Sequence, residues 1–491
     1  WRNSPFGRAF FGSFREGRAW SSGEAMPLLA RCLFVLFALL SLAVSDAATP
    51  RAVKPPPKPA PVAPEPAPTQ SRCTEEDPGA AKGPADAGAT TFSADPRQGL
   101  QNLIDLTLAR SKALGAARLL ADAARDDIAE TQAMRWPTAS LTISEQGISN
   151  TVNGRDAGKG GQFNAGVTAS VTVFDFGRVA KMIEWRKEMA EVALLGQRSA
   201  EEQLTLTVVN LSLDRARFIL QSQVYGQYVR KMACLVEALE IITKADKGRS
   251  SELLQANKSM LQAEMSVSQT QSALRQTEIR LRRLVGDPLP PPVGMAAALA
   301  VMPALDDMMA DILQAPDITQ ATASARAQRS LTESIAAGQR PTVSIVGNAI
   351  KLAGVSRAND FGAGVQISIP LLQPGASAQL SAAVKRYQST LLQRDEAVEA
   401  KRYRLLEMHE MGTEVLDRAR RIVEILRNSD RVRAATLQQW QQLGRRSLFD
   451  VMASEGDYYS LRVAHVNAMY DAQQVIALIW SMGRGVLTPL R

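Results

Sequence analysis

Residues 163–171 read FNAGVTASV and residues 361–369 read FGAGVQISI. In the first stretch Val167, Ala169 and Val171 fall on one side of an extended chain and Thr168, Ser170 and Thr172 on the other, with Val173 continuing the apolar side. In the second, Val365, Ile367 and Ile369 oppose Gln366 and Ser368. A period of two with one apolar side is the pattern of a β-strand. The stretches also share a register, because the same spacing brings Gly177 onto Gly375 without a gap.

Further pairs follow in the same order. PTASL at 137–141 returns as PTVSI at 341–345, and Arg125 and Arg329 each lie twelve residues before the proline. GRSS at 248–251 returns as GRRS at 444–447, and Gly286 corresponds to Gly483. The chain is therefore written twice, and each copy runs helix, strand, loop, strand, long helix, glycine turn, helix. The first strands alternate as well: Ala139, Leu141 and Ile143 oppose Thr138, Ser140, Thr142 and Ser144, and Val343 and Ile345 oppose Thr342 and Ser344.

The expected organisation places repeat 1 at 98–290, with strands near 137–147 and 163–174 and a helical hairpin near 178–285. A linker spans 291–306. Repeat 2 covers 307–485, with strands near 341–351 and 361–371 and a hairpin near 376–482, and 486–491 form a tail. No proline occurs from Arg178 to Lys247, enough for a helix of about 100 Å. Leu405, Met408, Met411, Val415, Ile422 and Ile425, then Leu448, Met452, Tyr459, Val463, Val466 and Tyr470, recur at coiled-coil spacing. Gly248 and Gly444 stand at the reversals, where a left-handed residue is expected. The fold class is thus mainly α with a small β part.

Ahead of the repeats, residues 1–25 read as an upstream extension before Met26, and 26–47 as a secretory signal peptide with Arg31 before the apolar run Cys32–Val44. Residues 48–97 form a proline-rich linker expected to be disordered. No lipobox-like run precedes Cys32 or Cys73. After signal removal two thiols remain, and Cys73 and Cys234 either pair or stay unpaired, since spacing cannot place their Cα atoms. The formal charge of +8 is dispersed, without the basic, aromatic-interleaved stripe of a nucleic-acid binder.

Nothing in the sequence supplies a catalytic site. His409 and His465 are the two histidines, and His409-Glu410 lacks a second histidine at zincin spacing. Neither a Gly-x-Ser-x-Gly elbow nor a Walker motif occurs. The glycine-rich NGRDAGKGG at 153–161 has neither the spacing nor the Ser or Thr of a phosphate loop, and reads as an exposed loop between strands. No cofactor is expected. Four strands with one apolar and one Ser/Thr/Gln face leave open edges that hydrocarbon does not tolerate. Several copies must therefore share one barrel, and three would give twelve strands, within the known range.

Several motifs together resemble the TolC family of outer-membrane efflux proteins: the Arg135-Trp136-Pro137 strand entry, FDFGR at 174–178, IPLLQPG at 369–375, GRRSLFD at 444–450 and WSMG at 480–483. The resemblance runs from about residue 98 to 485. It implies a homotrimer whose protomers each give four transmembrane strands to a twelve-stranded barrel in outer-membrane lipid, above a periplasmic α-helical tunnel. The duct would be passive, served by an adaptor (membrane fusion) protein and an inner-membrane ABC or RND transporter. Adaptor docking is implied at Gly248, Arg249, Gly444 and Arg445. Arg446 and Asp450 match the family's gate arginine and a pore-lining aspartate, and three Asp450 carboxylates would form a cation-binding ring. Asp450 as a solvated helix residue and Arg446 as a C-cap are the plainer alternative. Leu254 stands where the family tends to have an acidic partner, and Ala453 replaces a second aspartate, so any lock is wired differently. Trp136, Phe163, Phe174, Phe176 and Phe361 are candidates for interfacial aromatics, or for packing against neighbouring helices. Type I protein secretion is preferred over small-molecule efflux because the tips are basic and no lipoprotein signal is present. A periplasmic coiled-coil scaffold is the alternative of another class, and the alternating strands argue against it.

Overall fold

The computed structural model describes residues 96–152, 155–290, 299, 301–443 and 446–490. The upstream extension, the signal peptide, nearly all of the proline-rich linker, Cys73, Gly444 and Arg445 lie outside them.

The order is α1 (Pro96–Arg110), α2 (Lys112–Ala133), β1 (Thr138–Val152), β2 (Arg155–Phe174), α3 (Arg178–Ala245), a 3-10 turn (Lys247–Arg249) and α4 (Ser250–Val285). Then follow α5 (Leu305–Asp311), α6 (Pro316–Ala337), β3 (Thr342–Gly354), β4 (Ala358–Ser368), α7 (Ala376–Leu443) and α8 (Leu448–Ser481). The two copies match closely: α2 and α6 each have 22 residues, and α3 and α7 each have 68.

Helix starts are specified locally. Ser111 caps α2 by accepting from the Leu114 amide at 3.2 Å, and Pro316 occupies the first turn of α6, where its missing N–H costs nothing. Asp175 of the FDFGR motif turns β2 into α3: its two carboxylate oxygens accept from the amides of Gly177 at 3.0 Å and Val179 at 2.8 Å. Gly177 takes the left-handed φ of 85° that this abrupt corner needs.

Helix α3 is the hub. Its sheet-proximal half packs on α2 and α6, with Arg186 bound to Asp127 at 3.0 Å and Arg326 bound to Glu191 at 2.8 Å. Farther along it meets α4 and α8, where Met232, Val236 and Leu239 bury against Ala256, Leu448 and Val451. Between these regions Leu100 and Ile104 of α1, Val208 and Leu213 of α3, Leu281 of α4 and Tyr470 and Ile476 of α8 form the largest core. In α4 the buried Ala256, Ala263, Thr270 and Thr277 recur every seven residues, a stripe of small side chains that lets two backbones run close.

Four expectations change. Residues 155–161 are strand rather than loop, because β1 and β2 pair as far as Val152 with Arg155. β4 ends at Ser368 rather than near 371, as Pro370 cannot donate to a ladder. Gly248 is not left-handed: it sits in the 3-10 turn, its amide donating to Asp246 Oδ1 at 2.9 Å. Of the α7 seam, Leu405, Met408, Val415 and Ile422 are buried, whereas Met411 and Ile425 are exposed on the helix's outer side.

Candidate functional site: the amphipathic sheet and the helix turns

The strands form one antiparallel meander in the order β1-β2-β3-β4, leaving β1 and β4 as free edges among the described residues. Register aligns the apolar positions across all four: Leu141 faces Val167, Val167 faces Ala349, Ala349 faces Phe361, and Val171, Ile345 and Val365 lie in a second row. This side is open within the protomer. Leu141, Ile143, Val365 and Ile367 are 62–68% exposed and Phe361 is 92% exposed. The opposite side carries Thr138, Ser140, Thr142, Ser170, Thr172, Ser344, Asn348 and Gln366, with Thr138 and Ser170 hydroxyls 3.3 Å apart.

Aromatic residues end the apolar band. Phe163 lies eleven residues before Phe174 on β2, which at a strand tilt near 40° is about 28 Å of depth, close to the 25 Å apolar band of outer-membrane barrels. Phe174 reaches the apolar side through a bulge at Val173, which shifts the register so that Phe174 faces Val343. The strict alternation expected through Val173 stops there. Phe174 packs edge-on against Phe176 at 4.8 Å, and the Arg340 guanidinium lies 5.6 Å over Phe176. Trp136, at the same end of the sheet, is 73% exposed. At the far end the buried Gln162 ties the β3–β4 turn to β2: its amide group donates to Ser356 O at 3.0 Å, and its carbonyl accepts from the Ser356 amide at 2.9 Å.

The two helical reversals also come together. Arg249 and Glu252 of the first and Arg446, Ser447 and Leu448 of the second line one cleft of about 410 Å³, with Trp440 on its wall. Ser447 and Asp450 form a capping box: Ser447 Oγ accepts from the Asp450 amide at 3.2 Å, and Asp450 Oδ2 accepts from the Ser447 amide at 3.3 Å. The Arg446 guanidinium is 3.8 Å from that carboxylate and donates through Nε to Gln439 at 3.2 Å. Arg446 therefore flanks the start of α8, and Asp450 has a capping duty besides any role toward ions. Arg249 stays with its own turn, 3.7 Å from Asp246 and 4.0 Å from Glu252.

Residues 103–287 match the outer membrane efflux protein family. That stretch, which includes the first strand pair and the first helical hairpin, is what the chain shares with the family. Solved structures extend the likeness to both repeats. The outer membrane protein VceC of Vibrio cholerae superposes at a TM-score of 0.67, with 19% identity, over 78% of this chain and 96% of its own. CusC, known from structures of its folding and transmembrane channel formation, superposes at 0.71 with 19% identity over 81% and 95%. The open state of the MtrE outer membrane channel of Neisseria gonorrhoeae gives 0.69 with 17% identity over 82% and 94%. Among curated proteins none matches the chain. Outer membrane efflux proteins are channels rather than enzymes; they form trimers and work with adaptors and inner-membrane transporters.

Three features were missed in the sequence. The seven-residue stripe of α4 was available to a periodicity search. Gln162, an ordinary polar residue in a glycine-rich stretch, gave no signal. Neither did Glu455, one of several carboxylates on α8, whose burial depends on residues of α3 and α7 far away in the chain.

Proposed function

We propose that three copies of this chain close into one outer-membrane channel, each giving its four strands to a twelve-stranded barrel above a periplasmic helical duct. The observation that carries this is the meander with two free edges and a continuous exposed apolar side ended by aromatic residues. In lipid such edges must be paired, and a ring of identical β4-to-β1 contacts pairs every one. The edge helices are likewise unfinished. Leu254, Leu261 and Met265 of α4 and Leu392, Tyr403 and Val432 of α7 are 56–71% exposed, apolar stripes suited to a neighbouring copy. Trp136, Phe163, Phe174, Phe176 and Phe361 then sit at the two lipid–water boundaries.

The helix turns form the periplasmic mouth. Three Asp450 carboxylates, each beside its own Arg446, make the cation-binding ring and gate, and the adaptor docks on Gly248, Arg249, Gly444 and Arg445. The energy comes from an inner-membrane transporter. Because Lys247, Arg249 and Arg446 make the mouth basic, the duct serves type I secretion of a protein through an ABC transporter. The family match favours the second reading, small-molecule efflux with an RND pump. Purified protein in planar bilayers should give stable conductance steps; inserted protein that never conducts would contradict the channel. A deletion strain separates the readings, losing a secreted protein in one case and gaining drug susceptibility in the other.

A further inference from the structure

Glu455 lies on α8 two turns beyond its capped start, and its side chain is wholly buried. Three elements face it. From α3 come Lys231, whose Nζ is 4.0 Å from Oε1, and Tyr228, whose ring stacks on Tyr459 at 5.0 Å. From α7 come Arg433, 3.5 Å from Oε2, and Asp430, which binds the same guanidinium at 2.8 Å. On α8 itself lie Asp457, Tyr458, Tyr459 and Arg462; Tyr458 carries the Arg433 guanidinium at 4.4 Å and the Arg462 guanidinium at 5.7 Å. At Gly456 a Cβ would stand 3.3 Å from the Tyr228 hydroxyl, so α8 meets that α3 side chain closely here.

The carboxylate is poorly compensated. Charge-assisted N–H···O bonds run at about 2.7–2.9 Å, and both cation contacts are longer. Oε1 accepts no hydrogen bond from any described residue, and Arg433 gives its short bond to Asp430. A buried ion pair of such geometry does not recover the hydration it lost. Burial accordingly pushes the Glu455 carboxyl above the ordinary carboxylate range, against the pull of Arg433 and Lys231.

We propose that Glu455 is a release element in the wall above the mouth: its buried, under-compensated charge keeps the seam between α8 and α3 metastable, so that the second hairpin parts from the first when the channel opens. The proposal rests on the channel reading above. Parting the seam returns the carboxylate to water, so its charge favours the open state and a neutral side chain favours the closed one. A carboxyl whose affinity for protons is raised in the closed seam takes up a proton on closing, so acidification favours closure.

Glu455→Gln keeps the shape and removes the charge. At neutral pH in planar bilayers its open fraction should fall about tenfold, the scale of one unmet buried acceptor. Acidification should bring the wild type toward the variant and leave the variant flat. In detergent, amides of 228–239 and 448–463 should exchange more slowly in the variant than in the wild type. A variant that opens more readily, or whose seam exchanges faster or at the wild-type rate, overturns the proposal. If the wild type fails to conduct, the channel reading falls, and the exchange comparison decides the seam on its own.

Discussion

At the mouth, single side chains have two duties that experiment can separate. Asp450 is both the third residue of a capping box and the candidate ring carboxylate. Ser447→Ala removes the cap at about 1 kcal/mol of helix stability while keeping the charge. Asp450→Asn should weaken block of the channel by divalent cations, and Ser447→Ala should leave block unchanged; equal weakening in both would assign the effect to the helix start. Near the sheet, Glu333 accepts from Lys181 at 3.0 Å and from Arg329 at 2.9 Å, and chiefly the Lys181 bond holds its carboxyl below the ordinary range. A depressed carboxyl stabilises the fold above its unfolded value and loses that contribution as pH falls through the folded one. Thermal stability should therefore drop on acidification below the usual carboxylate range, by less in Glu333→Gln. Both partners are partly exposed, so the effect is small.

At the scale of elements, much was legible because the signals are periodic and local. The alternation of 163–171 and 361–369 requires strands, and the absence of proline over 178–247 permits the long α3. The apolar sides so assigned are the ones that stand open in the protomer. What was not legible depends on contacts between distant residues. The bulge that turns Phe174 outward follows from pairing with β3, the burial of Gln162 from the β3–β4 turn folding over it, and that of Glu455 from two other helices. Residues 155–161 failed as a loop prediction because glycine and lysine composition hides a paired strand. The sheet makes two predictions. Val365→Arg places a charge on the lipid side at a cost of about 2–4 kcal/mol near the membrane centre, and should reduce membrane-assembled protein on fractionation. Gly354 has φ +131°, and a Cβ there would stand 2.3 Å from the Gly161 carbonyl oxygen. Gly354→Ala should therefore lower the temperature at which the assembled barrel comes apart, the strained backbone alone costing about 1–3 kcal/mol.

For the whole molecule, β1, β4, α4 and α7 each offer pairing or apolar surface that the protomer does not use. A two-fold dimer would join like edges and leave the others open. A head-to-tail ring uses one contact throughout and closes when the rotation returns to its start. In the proposed ring few strands per chain suffice, because each repeat gives one hairpin above one helical pair and the chain is already double. The most direct measurement is the subunit number of membrane-extracted protein, read on a denaturing gel without heating and again after boiling. A trimeric channel gives a detergent-resistant three-subunit band that collapses to the single-chain mass on boiling. A single-chain band in both lanes, from protein that partitions into the aqueous phase, would contradict it.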